Sequence, residues 1–215
     1  MDVRKALEVY VLSWRTSAPG RDHSAILRAA IAGGASAVQL RAPELSDDAL
    51  LPIAADLASA CRAAGVLFIV NDRLDVAIAS GADGVHLGQE DVVSDARARL
   101  GPGKVLGISV GTLEDVRAAE LSEADYLGIT VWSTATKPDA VPLGLEGFRR
   151  IAAATSLPVV GIGGIFSTNA ELVLDAGAAG IAVISAVACA PDPIEATRAL
   201  VGIVQRFRDR EGIAR

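Results

Sequence analysis

Along these 215 residues, short β-rich runs alternate eight times with Ala-rich amphipathic stretches, and no change in composition marks a linker. The pattern predicts strands near 8–13, 36–41, 67–71, 84–87, 105–109, 125–130, 158–162 and 180–185. Helices are predicted near 24–32, from Ser46 onward, up to Gly81, and near 94–100, 112–121, 145–153, 168–177 and 193–208. Strict alternation requires a parallel sheet, because each crossover is right-handed and covers one face. Eight such units close on themselves, so the expected architecture is an α/β, single-domain (β/α)8 TIM barrel over 1–215. The alternative, an open doubly wound sheet, would carry a glycine-rich first turn. Here the first strand runs into Trp14, Arg15 and Thr16 instead.

Composition agrees with buried parallel strands: hydrophobic residues make up 51 % and aromatics only 4 %. A net charge of −6 argues against a general nucleic-acid binder, which would present a basic face. It leaves room for anionic substrates, which a few cations and backbone amides can hold. Cys61 and Cys189 lie in Ala-rich surroundings without metal-ligand spacing and are expected to be reduced core residues. The charged opening segment does not read as a secretory signal, and the uncharged run 151–170 is interrupted by Pro158 and three glycines. A soluble, cytoplasmic protein without membrane contact is the expectation.

In such a barrel the reactive groups sit at the carboxyl ends of the strands. Polar residues collect at those ends: Gln39 and Arg41, Asn71-Asp72-Arg73, Gly88-Gln89-Glu90-Asp91, Ser109, Ser133-Thr134-Ala135-Thr136-Lys137, Gly161-Ile162-Gly163-Gly164-Ile165 and Ile184-Ser185. Any one of them could be a cap or a turn; Asp72 in particular could cap the third helix. Their convergence on one rim favours a site. Asp72 and Asp91, near Arg41 and Lys137, suit one oxygen-liganded Mg²⁺ whose other positions take water and substrate phosphates. The glycine turn after the seventh strand, with Ile184 and Ser185, lies where this fold commonly cradles phosphate. A metal-assisted anion site facing an amide-lined phosphate site suggests an enzyme acting on two phosphorylated molecules.

Several segments resemble the thiamine phosphate synthase family, in order: Val38-Gln39-Leu40-Arg41, Val70-Asn71-Asp72, Gly84-Val85-His86-Leu87-Gly88-Gln89-Glu90-Asp91, Thr134-Ala135-Thr136-Lys137-Pro138, Gly144-Leu145-Glu146-Gly147 and Gly161-Ile162-Gly163-Gly164-Ile165. The resemblance implies a transferase that couples hydroxymethylpyrimidine diphosphate to a thiazole phosphate, releasing pyrophosphate. It implies that diphosphate leaves first and that the thiazole nitrogen traps the resulting cation, a reaction that needs anion stabilisation rather than a strong base. By resemblance, Asp72 and Asp91 hold Mg²⁺. Arg41, Asn71, Ser109 and Lys137 take the diphosphate side, with Arg41, Ser109 and Lys137 as the catalytic set and Gln39 near the pyrimidine. Thr134, Thr136, Gly164, Ile184 and Ser185 take the thiazole phosphate. Family members are commonly dimers, so a homodimer is a further implication.

Two positions depart from the family pattern. Pro43 stands where a lysine is usual, a loss Arg73 could offset, and Gly111 replaces a histidine in the stretch after Ser109. A sister group, the thiazole tautomerases, uses that histidine for proton transfer, so Gly111 weighs against a tautomerase. His86 is a possible substitute, although a histidine within a strand is more often packed or hydrogen-bonded; His23 is expected to begin a surface helix. A non-catalytic phosphate-ligand-binding barrel is a further alternative, motivated by Pro43, and another phosphate-binding barrel, such as a sugar-phosphate isomerase, is the last.

Overall fold

Runs of four or five residues drawn mostly from Val, Ile, Leu, Ala and Gly can be buried on both faces, which is what a barrel stave requires. The computed structural model describes residues 2–14, 20–88, 95–133 and 140–212. Its strands are β1 (Val9–Leu12), β2 (Ala37–Leu40), β3 (Leu67–Asn71), β4 (Gly84–Leu87), β5 (Val105–Ser109), β6 (Tyr126–Thr130), β7 (Val159–Ile162) and β8 (Gly180–Val183). They form a closed barrel in chain order, every pair parallel, with β8 pairing back onto β1. The expected (β/α)8 architecture is the one the chain adopts.

The register sorts the side chains by period two. Tyr10 pairs with Ala37, Gln39 with Ile69, Asn71 with His86, Gly107 with Tyr126 and Thr130 with Ile162. These positions point into the barrel, where Leu7, Tyr10, Leu12, Leu67, Ile69 and Tyr126 belong to one inner cluster. The alternate positions, among them Val38, Val70, Leu106, Leu127 and Ile181, face outward and pack with the helices in the larger cluster.

Among the described residues the helices are α1 (Val3–Ala6), α2 (His23–Ala32), α3 (Asp47–Ala64), α4 (Leu74–Ser80), α5 (Ala96–Leu100), α6 (Leu113–Leu121), α7 (Gly144–Ala152), α8 (Ala170–Asp175), α9 (Ser185–Ala188) and α10 (Pro193–Arg210). Ser46 caps α3 by accepting from the Ala49 amide, and Thr112 with Asp115 forms a full capping box on α6. Two four-residue helices were not expected. In α1, Val3 and Ala6 pack against the inner cluster and close the barrel floor; α9 turns the chain immediately after β8. Thr168 does not open α8. The position before that helix is Asn169, whose side chain instead accepts from the Phe166 amide at 2.8 Å. No helix among the described residues is long and apolar enough to cross a membrane.

Cys61 is buried on α3 as expected, whereas Cys189 is exposed just beyond α9. Burial pushes the Cys61 thiol up to about 12, and the negative charge of Asp83 adds to the shift. Burial likewise raises Tyr10 and Tyr126. All three groups are therefore held neutral when folded, while an unfolded chain begins to release these protons near pH 9. Their stabilisation is fully present below that pH and is lost as pH rises through the alkaline range. The slope is about 1.4 kcal/mol per pH unit for each proton the fold retains. Urea midpoints should fall steadily above pH ~9, and Cys61→Ala should make that fall shallower.

Candidate active site

Where the strands end, the inward row stops being apolar, and a cavity of about 230 Å³ opens at the carboxyl face. Gln39, Arg41, Asn71, Asp72, Ser109, Gly164, Ile184 and Ser185 all line it. Eight expected residues from five different strand ends thus meet around one space. Asp91, Thr134, Thr136 and Lys137 lie outside the described residues.

Arg41 follows β2 and is anchored through its backbone: its amide donates to Ser13 Oγ at 3.0 Å. Its guanidinium lies 4.3 Å from the Trp14 ring centroid, and its Nη1 is buried without a hydrogen-bond partner among the described residues. Burial lowers the Arg41 pKa, and the charges of Asp72 and Glu44 push it back up. A buried guanidinium nitrogen without an acceptor is costly, a cost that an anion reaching it would remove.

His23 stands behind this arginine rather than on the surface. It is 3 % exposed, with Nδ1 3.0 Å from Ser13 Oγ and Nε2 2.8 Å from Glu44. A helix does begin at His23, as expected, but α2 turns this first residue inward onto the end of β1.

Asp72 adopts φ 60°, in the left-handed region that Asp tolerates better than most side chains. Its amide donates to the His86 carbonyl at 2.8 Å, extending the β3–β4 ladder past the strand end. Its carboxylate accepts from Asn71 Nδ2. The capping role considered for it does not apply, because the residue before α4 is Arg73 and makes no side-chain cap bond. Arg73 cannot offset Pro43 either: it is paired with Asp47 on α3 at 2.5 Å and does not line the cavity. Pro43 itself is exposed. No cluster of three or more His, Cys, Asp or Glu that could hold a metal occurs among the described residues. One carboxylate at a phosphate-sized mouth is nevertheless compatible with Mg²⁺, which uses one or two carboxylates and keeps water or phosphate for the rest.

Across the mouth, Gly163 and Gly164 have φ of 90° and 64°. A Cβ at Gly163 would stand 2.5 Å from the Trp132 carbonyl oxygen, so the turn needs glycine for conformation and for space. Asn169 Nδ2 donates to the Gly164 carbonyl at 2.9 Å, holding the turn against the start of α8. Ile184 and Ser185, at the start of α9, complete this wall.

Sequence reasoning missed the deep part of the site. Tyr10 and Tyr126, the two tyrosines of the chain, meet inside the barrel with hydroxyls 3.1 Å apart. Tyr126 Oη is 2.9 Å from His86 Nδ1, and His86 Nε2 is 3.0 Å from Ser109 Oγ. Gln39 Nε2 donates to Tyr10 Oη at 2.5 Å. A signal was available: Gly107 and Gly128 interrupt β5 and β6, and glycine inside a strand marks close approach. A Cβ at Gly107 would lie 2.1 Å from Tyr126 Cζ, and one at Gly128 would lie 3.0 Å from His86 Cε1. At Gly111, where the tautomerases carry their histidine, the backbone amide donates to Asp115 and serves the α6 cap.

A family model described as thiamine monophosphate synthase matches residues 9–187. A thiamine-phosphate synthase of Moorella thermoacetica is 47 % identical over 206 residues, covering 94 % of this chain and 98 % of that protein. One from Roseiflexus castenholzii is 48 % identical over 198 residues, covering 91 % and 87 %. The solved thiamine phosphate pyrophosphorylase from Pyrococcus furiosus superposes with a TM-score of 0.87 at 41 % identity, covering 95 % of this chain and 98 % of that one.

Proposed function

The chain belongs to the thiamine monophosphate synthase family, whose members are transferases, and from that premise we propose how its barrel mouth makes thiamine phosphate. The substrates are hydroxymethylpyrimidine diphosphate and a thiazole phosphate. The bond between the pyrimidine methylene carbon and the diphosphate oxygen breaks, and its electron pair leaves with pyrophosphate. The thiazole nitrogen then donates its lone pair to the methylene carbon.

The observation that carries this reading is Arg41, which lines the cavity and whose buried Nη1 has no hydrogen-bond partner among the described residues. It is a donor preset for an anion, and developing negative charge on a leaving group is what preorganised donors stabilise best. Arg41, Asn71 and Ser109 take the diphosphate, with Lys137 as the proposed fourth member. Gly164, Ile184 and Ser185 take the thiazole phosphate, with Thr134 and Thr136. Asp72 and Asp91 would hold one Mg²⁺, which when bound neutralises charge on the departing diphosphate. The tautomerase alternative loses ground because His86 is engaged by Tyr126 and Ser109 on its two nitrogens. By family resemblance the enzyme is proposed to act as a cytoplasmic homodimer. It has no nucleic-acid partner, in keeping with its net charge of −6.

A coupled assay for pyrophosphate and thiamine phosphate tests the proposal. Turnover should require both partners and Mg²⁺, and no pyrophosphate release with both present would overturn it. Asp72→Asn, which tolerates the same backbone conformation, should lower kcat by about 100-fold at saturating Mg²⁺. Unchanged turnover in that variant would remove Asp72 from the site.

A further inference from the structure

Five side chains of the cavity lining form one hydrogen-bonded line that begins and ends near strand ends and dips to the tyrosines between them: Gln39, Tyr10, Tyr126, His86 and Ser109. Each hydroxyl in the line owns a single proton, so fixing one end fixes the other. Gln39 gives an N–H to Tyr10 Oη, which leaves the Tyr10 proton for Tyr126 Oη. Tyr126 then gives its proton to His86 Nδ1. With Nδ1 accepting, a neutral His86 carries its hydrogen on Nε2 and donates to Ser109 Oγ. The Ser109 proton is thereby released from the line and directed into the cavity. Burial raises both tyrosines, so these hydroxyls stay protonated.

The line has a second, equally complete polarity. Turning the Gln39 amide over makes its oxygen the acceptor for Tyr10, and every proton reverses. His86 then carries hydrogen on Nδ1, and its bare Nε2 takes the Ser109 proton away from the cavity. What selects between the two states is the free end. Gln39 is 1 % exposed, lines the cavity, and its Oε1 has no hydrogen-bond partner among the described residues. A ligand offering an N–H there holds the amide in the first state; a ligand offering a carbonyl holds it in the second.

We propose that this line is a polarity relay that selects an amino-substituted pyrimidine over its oxo counterpart, by making Ser109 a donor to the leaving group only when an amino group meets Gln39. Tyr10 and Tyr126 are its positioning residues. The inference rests on the synthase reading for the identity of the leaving group.

The test is ¹⁵N NMR of the two histidine side chains in the intact protein. Probes are the amino-substituted hydroxymethylpyrimidine and its oxo analogue, at saturation and without turnover. His86 should be protonated on Nε2 with the amino compound and on Nδ1 with the oxo compound. Tyr10→Phe and Tyr126→Phe should each abolish that response and lower kcat about tenfold, with KM changed far less. The same His86 tautomer with both compounds would overturn the relay, as would a Tyr→Phe variant that still switches. Exclusion of the oxo compound by wild type and Tyr10→Phe alike would also overturn it, because selection would then bypass the line. Loss of pyrophosphate release in the wild type would instead strike the synthase reading, and the tautomer measurement does not depend on it.

Discussion

Arg41→Ala is expected to lower kcat/KM for the pyrimidine substrate by about a thousandfold while leaving the fold at least as stable. Each charge-assisted hydrogen bond to a phosphate oxygen contributes roughly 1.5–3 kcal/mol. Losing two of them removes about 4 kcal/mol of transition-state stabilisation, a factor of about 10³. The stability half of the prediction comes from Nη1, a buried donor without an acceptor among the described residues, which alanine removes. Arg41→Lys should recover only part of the activity, because an ammonium keeps the charge but not the planar fork or its packing on Trp14. Steady-state kinetics with thermal melts on the three proteins check both halves. A large drop in Tm for Arg41→Ala would mean that the arginine is structural.

Gly180→Ala is expected to have the opposite signature, with stability lost first and activity lost as a consequence. A Cβ at Gly180 would lie 1.8 Å from the Leu7 carbonyl oxygen and 2.8 Å from Glu8 Cα. Both are backbone atoms next to β1, and Ile181 donates to the Glu8 carbonyl at 3.1 Å where the ring closes. No flexible side chain is there to yield, so the strands that complete the barrel must separate. The cost should be about 3–5 kcal/mol, above the usual overpacking range, or roughly 10 °C in Tm for a chain of this size. Gly202→Ala on α10 is the matched control. There the new methyl meets only the flexible tip of Arg206, at 3.2 Å, and helix propensity should make it stabilising by up to about 1 kcal/mol. Equal melting shifts for the two variants would contradict this account.

The barrel was legible because its evidence is periodic and redundant. Val105–Ser109 and Leu67–Asn71 fall where the pattern puts them, since runs of this kind between helical stretches have few other uses. The rim was legible for a related reason: Gln39, Arg41, Asn71, Asp72 and Ser109 are polar residues interrupting apolar strand ends. The α1 and α9 helices were not legible, because four residues carry no amphipathic period and a single turn cannot hold itself without tertiary support. The inward turn of His23 was not legible, because polarity alone says little about which way the first residue of a helix points. The tyrosine pair was hidden most thoroughly. Tyr10 and Tyr126 are 116 residues apart and look like ordinary strand formers; only closure of the ring brings their hydroxyls together.

The short helix α1 and Leu7 pack beneath the tyrosines, so the amino-end half of the barrel is filled with side chains and the polar groups are left to its opposite end. Changes at Val3, Ala6 or Leu7 therefore load the foundation of the barrel and not the chemistry above it.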